Sequence, residues 1–239
     1  MNPVLKRTLT GLAVGAAVIC AVLYAPPAAI EPAIACLAVL AVAEFGCLLH
    51  RKCTGEMGKG VFWLCGVPYL AGAAVIACGL WALARIPQLY GDAMCGPFRL
   101  GNLMLLYVVA VVKFSDVGGF AFGLTSAKLM KGGNHKLCPT VSPNKSWEGL
   151  FGSVFASCLV SCCFMGVTQF GVAKSLACGV TAALVGTAGD LVESKFKRWV
   201  GVKDSSALKI TNGMGGILDM LDSLLIAPAV LTAIFVFWK

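Results

Sequence analysis

The segment Gly215–Lys239, GGILDMLDSLLIAPAVLTAIFVFWK, sets two aspartates three residues apart at the mouth of a long apolar run. From Leu224 to Trp238 that run carries no charged side chain. About 20 mostly apolar residues cross a bilayer, so the segment reads as a membrane span. An ionisable group inside such a span costs about 2.5–3.5 kcal/mol on insertion scales, and it faces a bundle interior or a wet cavity instead of lipid. Asp219 and Asp222 therefore mark a helix that opens on a polar site.

The rest of the chain agrees. Of its 239 residues 59% are hydrophobic and only 13% charged, with a mean hydropathy of +0.86. A soluble domain is about half apolar and a quarter charged, so the composition excludes that class. The apolar stretches run continuously, without the period-two alternation of a membrane β-barrel. The expected fold is all-α, a polytopic transmembrane helical bundle. Apolar runs near 9–24, 32–50, 61–84, 102–123, 149–168, 171–189 and 217–238 predict about seven spans. Residues 1–100 read as N-terminal transmembrane helices and 101–239 as a catalytic region, together one integral membrane domain with no room for a separate soluble one.

Positive charge orients such a bundle. Lys6 and Arg7 precede the first run, and Arg51, Lys52 and Lys59 follow the second. Lys128, Lys131, Lys136 and Lys145 follow the fourth, with Lys195, Lys197, Arg198, Lys203 and Lys209 after the sixth. The alternate loops are poorer in base, which predicts a cytoplasmic N-terminus. The net charge of +8 fits anionic lipid or phosphate partners, and the absence of a basic-aromatic platform argues against nucleic acid. Most of the twelve cysteines lie in apolar runs, where a free thiol acts as a small hydrophobe; neither His50 nor His135 completes a zinc-like spacing.

Three polar clusters interrupt the apolar sequence. Lys113 and Asp116 lie three apart within VVKFSDVGGFAFG, as a neutralised pair or a functional one. HKLCPTVSPNKSWEG, residues 135–149, concentrates donors at a membrane edge, with Ser142 and Lys145 beside Glu148. Pro139 and Pro143 forbid a regular helix there, and Ser146 is placed to cap the helix that follows. The third cluster spans residues 186–222: Asp190 and Glu193 share one helical face, a lysine-rich stretch with glycines follows, and Asp219 and Asp222 close it. Carboxylates flanking basic residues suit Mg²⁺, which uses one or two carboxylates together with substrate phosphates. Lysine and arginine neutralise phosphate while glycine admits close backbone approach. No Gly-x4-Gly-Lys-Ser/Thr loop and no Gly-x-Gly-x-x-Gly occurs, so neither familiar nucleotide fold is indicated.

These elements resemble the phosphatidate cytidylyltransferases, or CDP-diacylglycerol synthases. Ser194, Phe196, Lys197, Arg198, Lys203 and Asp204 match the opening of that family's signature in spacing, and Gly215, Gly216, Ile217, Asp219 and Asp222 match its close. SPNKSWEG and the span from Asp116 to Gly123 are similar to two further family elements, all within roughly the C-terminal half. The chain departs at Met214 and Met220, where the family usually carries His and Arg.

The resemblance implies transfer of a cytidylyl group from CTP to phosphatidic acid, in a bacterial inner membrane with the site facing the cytoplasm. It implies Asp219, Asp190 and Asp222 as Mg²⁺ ligands or their supports, with Lys197, Arg198 and Lys203 on phosphate. Substrate binding would fall to Ser142, Lys145, Ser194, Asp204, Asp116, Glu193, Gly215 and Gly216. It leaves room for a second, monovalent cation and for a homodimer among membrane lipids. Two other readings remain: a CTP-dependent kinase of a polyprenol-type alcohol, and an ion transporter lined by Asp116, Lys113 and Asp190.

Overall fold

The computed structural model describes residues 15–56, 62–130, 133–202 and 216–238. Two apolar helices, α1 (Gly15–Tyr24) and α2 (Pro27–Glu56), lead to α3 (Phe62–Leu89). A two-residue hairpin, β1 (Met94–Cys95) and β2 (Phe98–Arg99), turns the chain into α4 (Leu100–Leu129). A second hairpin, β3 (Lys136–Cys138) and β4 (Ser142–Ser146), runs into α5 (Trp147–Cys163). A single turn, α6 (Met165–Thr168), precedes α7 (Val172–Val200). The chain ends in α8 (Ile217–Leu221), a 3₁₀ turn at Asp222–Leu224, and α9 (Ala227–Phe237).

The fold is an all-α bundle, but the expectation of about seven spans is corrected. Among the described residues five helical stretches are long and apolar enough to cross a membrane: Ala28–Lys52, Pro68–Leu89, Leu100–Leu129, Val172–Val200 and Ile217–Phe237. The expected span at 149–168 breaks after the 17 residues of α5. At 1.5 Å per residue α5 is about 25 Å long, short of the ~30 Å hydrocarbon core. The expected span at 9–24 is described only as the ten-residue Gly15–Tyr24; Lys6 and Arg7, on which the cytoplasmic N-terminus rests, lie outside the described residues. An apolar window counts side chains alone and says nothing of where the helix carrying them ends. Phe164 ends α5 and opens the single turn α6, which interrupts the stretch, and Gln169, with φ of 57°, then ends α6 in the left-handed region.

Helix α4 forms the spine. Met104, Tyr107, Val108, Val111 and Val112 recur at helical spacing and are fully buried, facing Cys178 and Ala182 of α7 and Leu231 of α9 in one core. Without a hydrophobic force between helices in lipid, such contacts hold by close fit and interhelical hydrogen bonds. Both occur around α5. A Cβ on Gly118 would run into the backbone of Gly152, so α4 and α5 approach more closely than larger residues allow. On its other side, α5 donates from Ser157 Oγ to the Gly179 carbonyl (2.9 Å) and from Ser161 Oγ to that of Ser175 (2.7 Å).

Candidate active site

Three helical pairs of ionisable residues converge at one end of this bundle, each pair aligned by i, i+3 spacing. Helix α4 brings Lys113 and Asp116, α7 brings Asp190 and Glu193 with Lys197 one turn on, and the α8–3₁₀ segment brings Asp219 and Asp222. Gly189 lets that last segment lie against α7, since a Cβ there would stand 3.0 Å from the Asp222 carbonyl oxygen. The fourth wall is the β3–β4 hairpin, which carries Ser142 and Lys145. Its register pairs Lys136 with Ser146 and Cys138 with Ser142. Ser146 then caps α5, its Oγ accepting from Gly149 N at 3.1 Å.

Together these walls enclose a cavity of about 390 Å³ lined by Lys113, Asp116, Lys145, Asp190, Asp219 and Asp222, among others. Each carboxyl group in it meets a lysine or hydroxyl. Lys145 Nζ lies 2.5 Å from Asp190 Oδ2 and donates to the Thr187 carbonyl at 3.2 Å. Lys113 Nζ lies 3.5 Å from Asp116 and 3.7 Å from Asp222, and donates to Ser223 Oγ at 2.9 Å. Ser223 Oγ in turn donates to Asp116 Oδ2, also at 2.9 Å. Lys197 Nζ sits between Glu193 Oε2 (2.5 Å) and Asp219 Oδ1 (2.6 Å).

Five carboxyl groups thus face three lysines, a formal surplus of two negative charges in a membrane helix bundle. Asp190, Glu193 and Asp222 each offer an oxygen within 4.8 Å of the other two, a cluster able to hold a divalent cation. Glu193 is its deepest member, with only 3% of its side chain exposed. Its Oε2 contact with Lys197 is an ion pair without directed hydrogen-bond geometry, and Oε1 has no hydrogen-bond partner. An acceptor in that state fits a cation.

Of the residues expected from sequence, Asp190, Asp222, Asp219, Asp116, Ser142 and Lys145 line the cavity, and Lys197 bridges Asp219 to Glu193. Asp219 is held by Lys197 and by Gly216 N, which donates to Oδ2 at 2.9 Å. Glu193 stands in the three-carboxyl cluster beside Asp190 and Asp222. Ser194 is half-buried and Arg198 exposed in the last turns of α7, neither lining the cavity. Lys203, Asp204, Met214 and Gly215 lie outside the described residues. Sequence reasoning missed Glu44 on α2, which is 1% exposed and accepts from Leu218 N at 2.9 Å. A lone carboxyl group in the apolar run 32–50 was the available signal.

Fold and cavity define an integral membrane protein whose carboxyl groups and lysines can hold a cation and an anion together. The description of the cytidylyltransferase family matches residues 61–238, and the chain belongs to that family. It is 40% identical over 134 residues to a phosphatidate cytidylyltransferase of Staphylococcus aureus, covering 55% of this chain and 48% of that protein. The same identity holds over 138 residues of the Staphylococcus epidermidis phosphatidate cytidylyltransferase, 57% and 50% of the two chains. The chain spans about half the length of the curated relatives it matches.

Proposed function

We propose that this protein transfers the cytidylyl group of CTP to phosphatidic acid, forming CDP-diacylglycerol and pyrophosphate at the cytoplasmic face of a bacterial cell membrane. The observation that carries this reading is the cavity in which Asp190, Asp219 and Asp222 lie beside Lys113 and Lys145, with Glu193 completing the three-carboxyl cluster behind it and Lys197 tied to Glu193 and Asp219. Both substrates are anions, so positioning and charge neutralisation are the main tasks of the protein. A phosphate oxygen of phosphatidate attacks the α-phosphorus of CTP in line, the new P–O bond forms, and the bond to the β-phosphate oxygen breaks as pyrophosphate leaves. That oxygen already carries charge, so no general base is assigned.

In this reading Asp190, Glu193 and Asp222 hold Mg²⁺, with Asp219 alongside, and the ion supplies neutralisation of phosphate charge. Lys145 and Lys113 border the open cavity and contact substrate phosphate, with Ser142 as a further donor. Asp219 fixes Lys197 and the Gly216 amide, and Arg198, Lys203 and Asp204 belong to the same basic stretch of sequence. Residues 1–100 contribute supporting helices while 101–239 supply the reacting groups.

Membranes containing the protein, given phosphatidate, Mg²⁺ and CTP labelled at either the α- or the γ-phosphorus, decide the chemistry. Cytidylyl transfer sends only the α label into lipid, whereas a CTP-dependent lipid-alcohol kinase sends only the γ label. Asp219→Asn abolishes α-label transfer while the protein stays in the membrane, and near-normal transfer in that variant would remove Asp219 from the site.

A further inference from the structure

Glu44 lies in a helix long and apolar enough to cross the membrane, yet its side chain points away from lipid and is almost fully buried. Its Oε2 accepts from the backbone N–H of Leu218, 174 residues away in sequence. Leu218 is the second residue of α8, the five-residue helix that carries Asp219. The first amides of any helix lack intrahelical acceptors, and at Leu218, only 2% exposed, little water can serve instead. A helix of five residues is also far too short to be stable by itself. The two ends of its first turn are therefore tied by carboxyl groups: Asp219 takes the Gly216 amide from within, and Glu44 takes Leu218 from α2.

The neighbouring residue anchors the opposite wall. The Phe45 ring lies 4.5 Å from that of Phe196, which immediately precedes Lys197 on α7. It also stacks on Tyr69 at 6.2 Å and occupies the space a Cβ on Gly72 would need. One turn of α2 thus braces both partners of the Lys197–Asp219 ion pair, and it lies ahead of residues 61–238, the stretch matched to the family.

We infer that Glu44 is a positioning residue, which sets Asp219 in the cavity by holding the first turn of α8 from another membrane helix. The inference rests on the cytidylyl-transfer reading for its kinetic consequence, but not for its structural one. Its test compares E44Q, which keeps an acceptor oxygen of similar shape, with E44M, which does not, in the full chain purified into lipid nanodiscs. In E44M, amide exchange over residues 216–224 quickens about tenfold while α4 and α5 keep their wild-type protection. The kcat for α-labelled CTP falls about 100-fold, the scale of a misplaced reacting group, with the KM for CTP little changed. E44Q restores both the protection and the rate to within about threefold of wild type.

Wild-type exchange over 216–224 in E44M would overturn the inference, as would faster exchange along every helix, which marks a merely structural acid. E44Q as slow as E44M with the segment still protected would overturn it too. Should the wild type transfer no cytidylyl group, the functional reading fails and the exchange comparison alone decides the role of Glu44.

Discussion

Lysine residues occupy the places around these carboxyl groups that counter-ions would take, and their surroundings give them different roles. Lys145 sits on the hairpin at the cavity wall with 21% of its side chain exposed, and one bond to Asp190 is its main tie. Replacing it by methionine removes a charge that can turn toward phosphate, without stranding a deeply buried partner. Lys145→Met is therefore expected to raise the KM for CTP about tenfold with a smaller effect on kcat, as read from initial rates. Lys197 is 13% exposed and bridges Glu193 and Asp219, so its removal leaves two inward carboxyl groups uncompensated. Breaking a buried pair by removing one partner costs about 3–5 kcal/mol. Lys197→Met should thus appear first as lost folded protein in size-exclusion and thermal melts, before any kinetic constant can be compared. The opposite pattern, a stable Lys197→Met protein and an unfolded Lys145→Met protein, would reverse these roles.

Among the elements, the β3–β4 hairpin was the least readable from sequence. Pro139 and Pro143 excluded a helix, but two strands of three and five residues pair only because the end of α4 and the start of α5 bring them together. A staple at the base completes it: the His135 ring Nδ1 lies 2.6 Å from Glu148 Oε1, and the His135 amide donates to the same carboxylate. The side-chain bond from His135 is the main cause holding the Glu148 carboxyl at about 2, below its ordinary 4.5. A depressed carboxyl pKa stabilises the fold above the unfolded value, and the contribution disappears as pH falls through the folded one. The hairpin should keep its closure from neutrality down to about pH 4.5 and loosen progressively toward pH 2, read by amide exchange over residues 135–148. In Glu148→Gln that acid step should vanish, and its persistence would place the titrating group elsewhere. Helix α7 outruns its expected span of 171–189: Asp190 and Glu193 read as the end of that span and Lys195, Lys197 and Arg198 as the loop after it, whereas the helix continues to Val200. Periodicity placed Asp190 and Glu193 on one face correctly, because side-chain direction depends on local helical geometry alone.

For the whole molecule, the site exists only because elements 109 residues apart, from Lys113 on α4 to Asp222 beside α8, close on one cavity. Each pair of ionisable residues was legible from its spacing; their convergence was legible only through the family resemblance, since physically it depends on the close approach of α4 to α5 and of α7 to the turn at Asp222. That convergence leaves five carboxyl groups against three lysines, so the folded protein concentrates a negative surplus that the unfolded chain disperses. A ligand that binds only the folded state stabilises it by RT ln(1 + [L]/Kd), about 2.7 kcal/mol at a hundredfold excess over Kd. For a chain of this size that raises the melting temperature by roughly 5–10 °C. Adding Mg²⁺ to cation-free protein should therefore raise the midpoint, and chelation should return it, without any substrate present. Asp222→Asn removes a member of the three-carboxyl cluster and should abolish most of the shift. Asp92→Asn should leave it intact, because Asp92 is exposed and paired with Arg99 away from the cavity. An equal shift in all three proteins would reduce the effect to general screening of charge and take the cation out of the site.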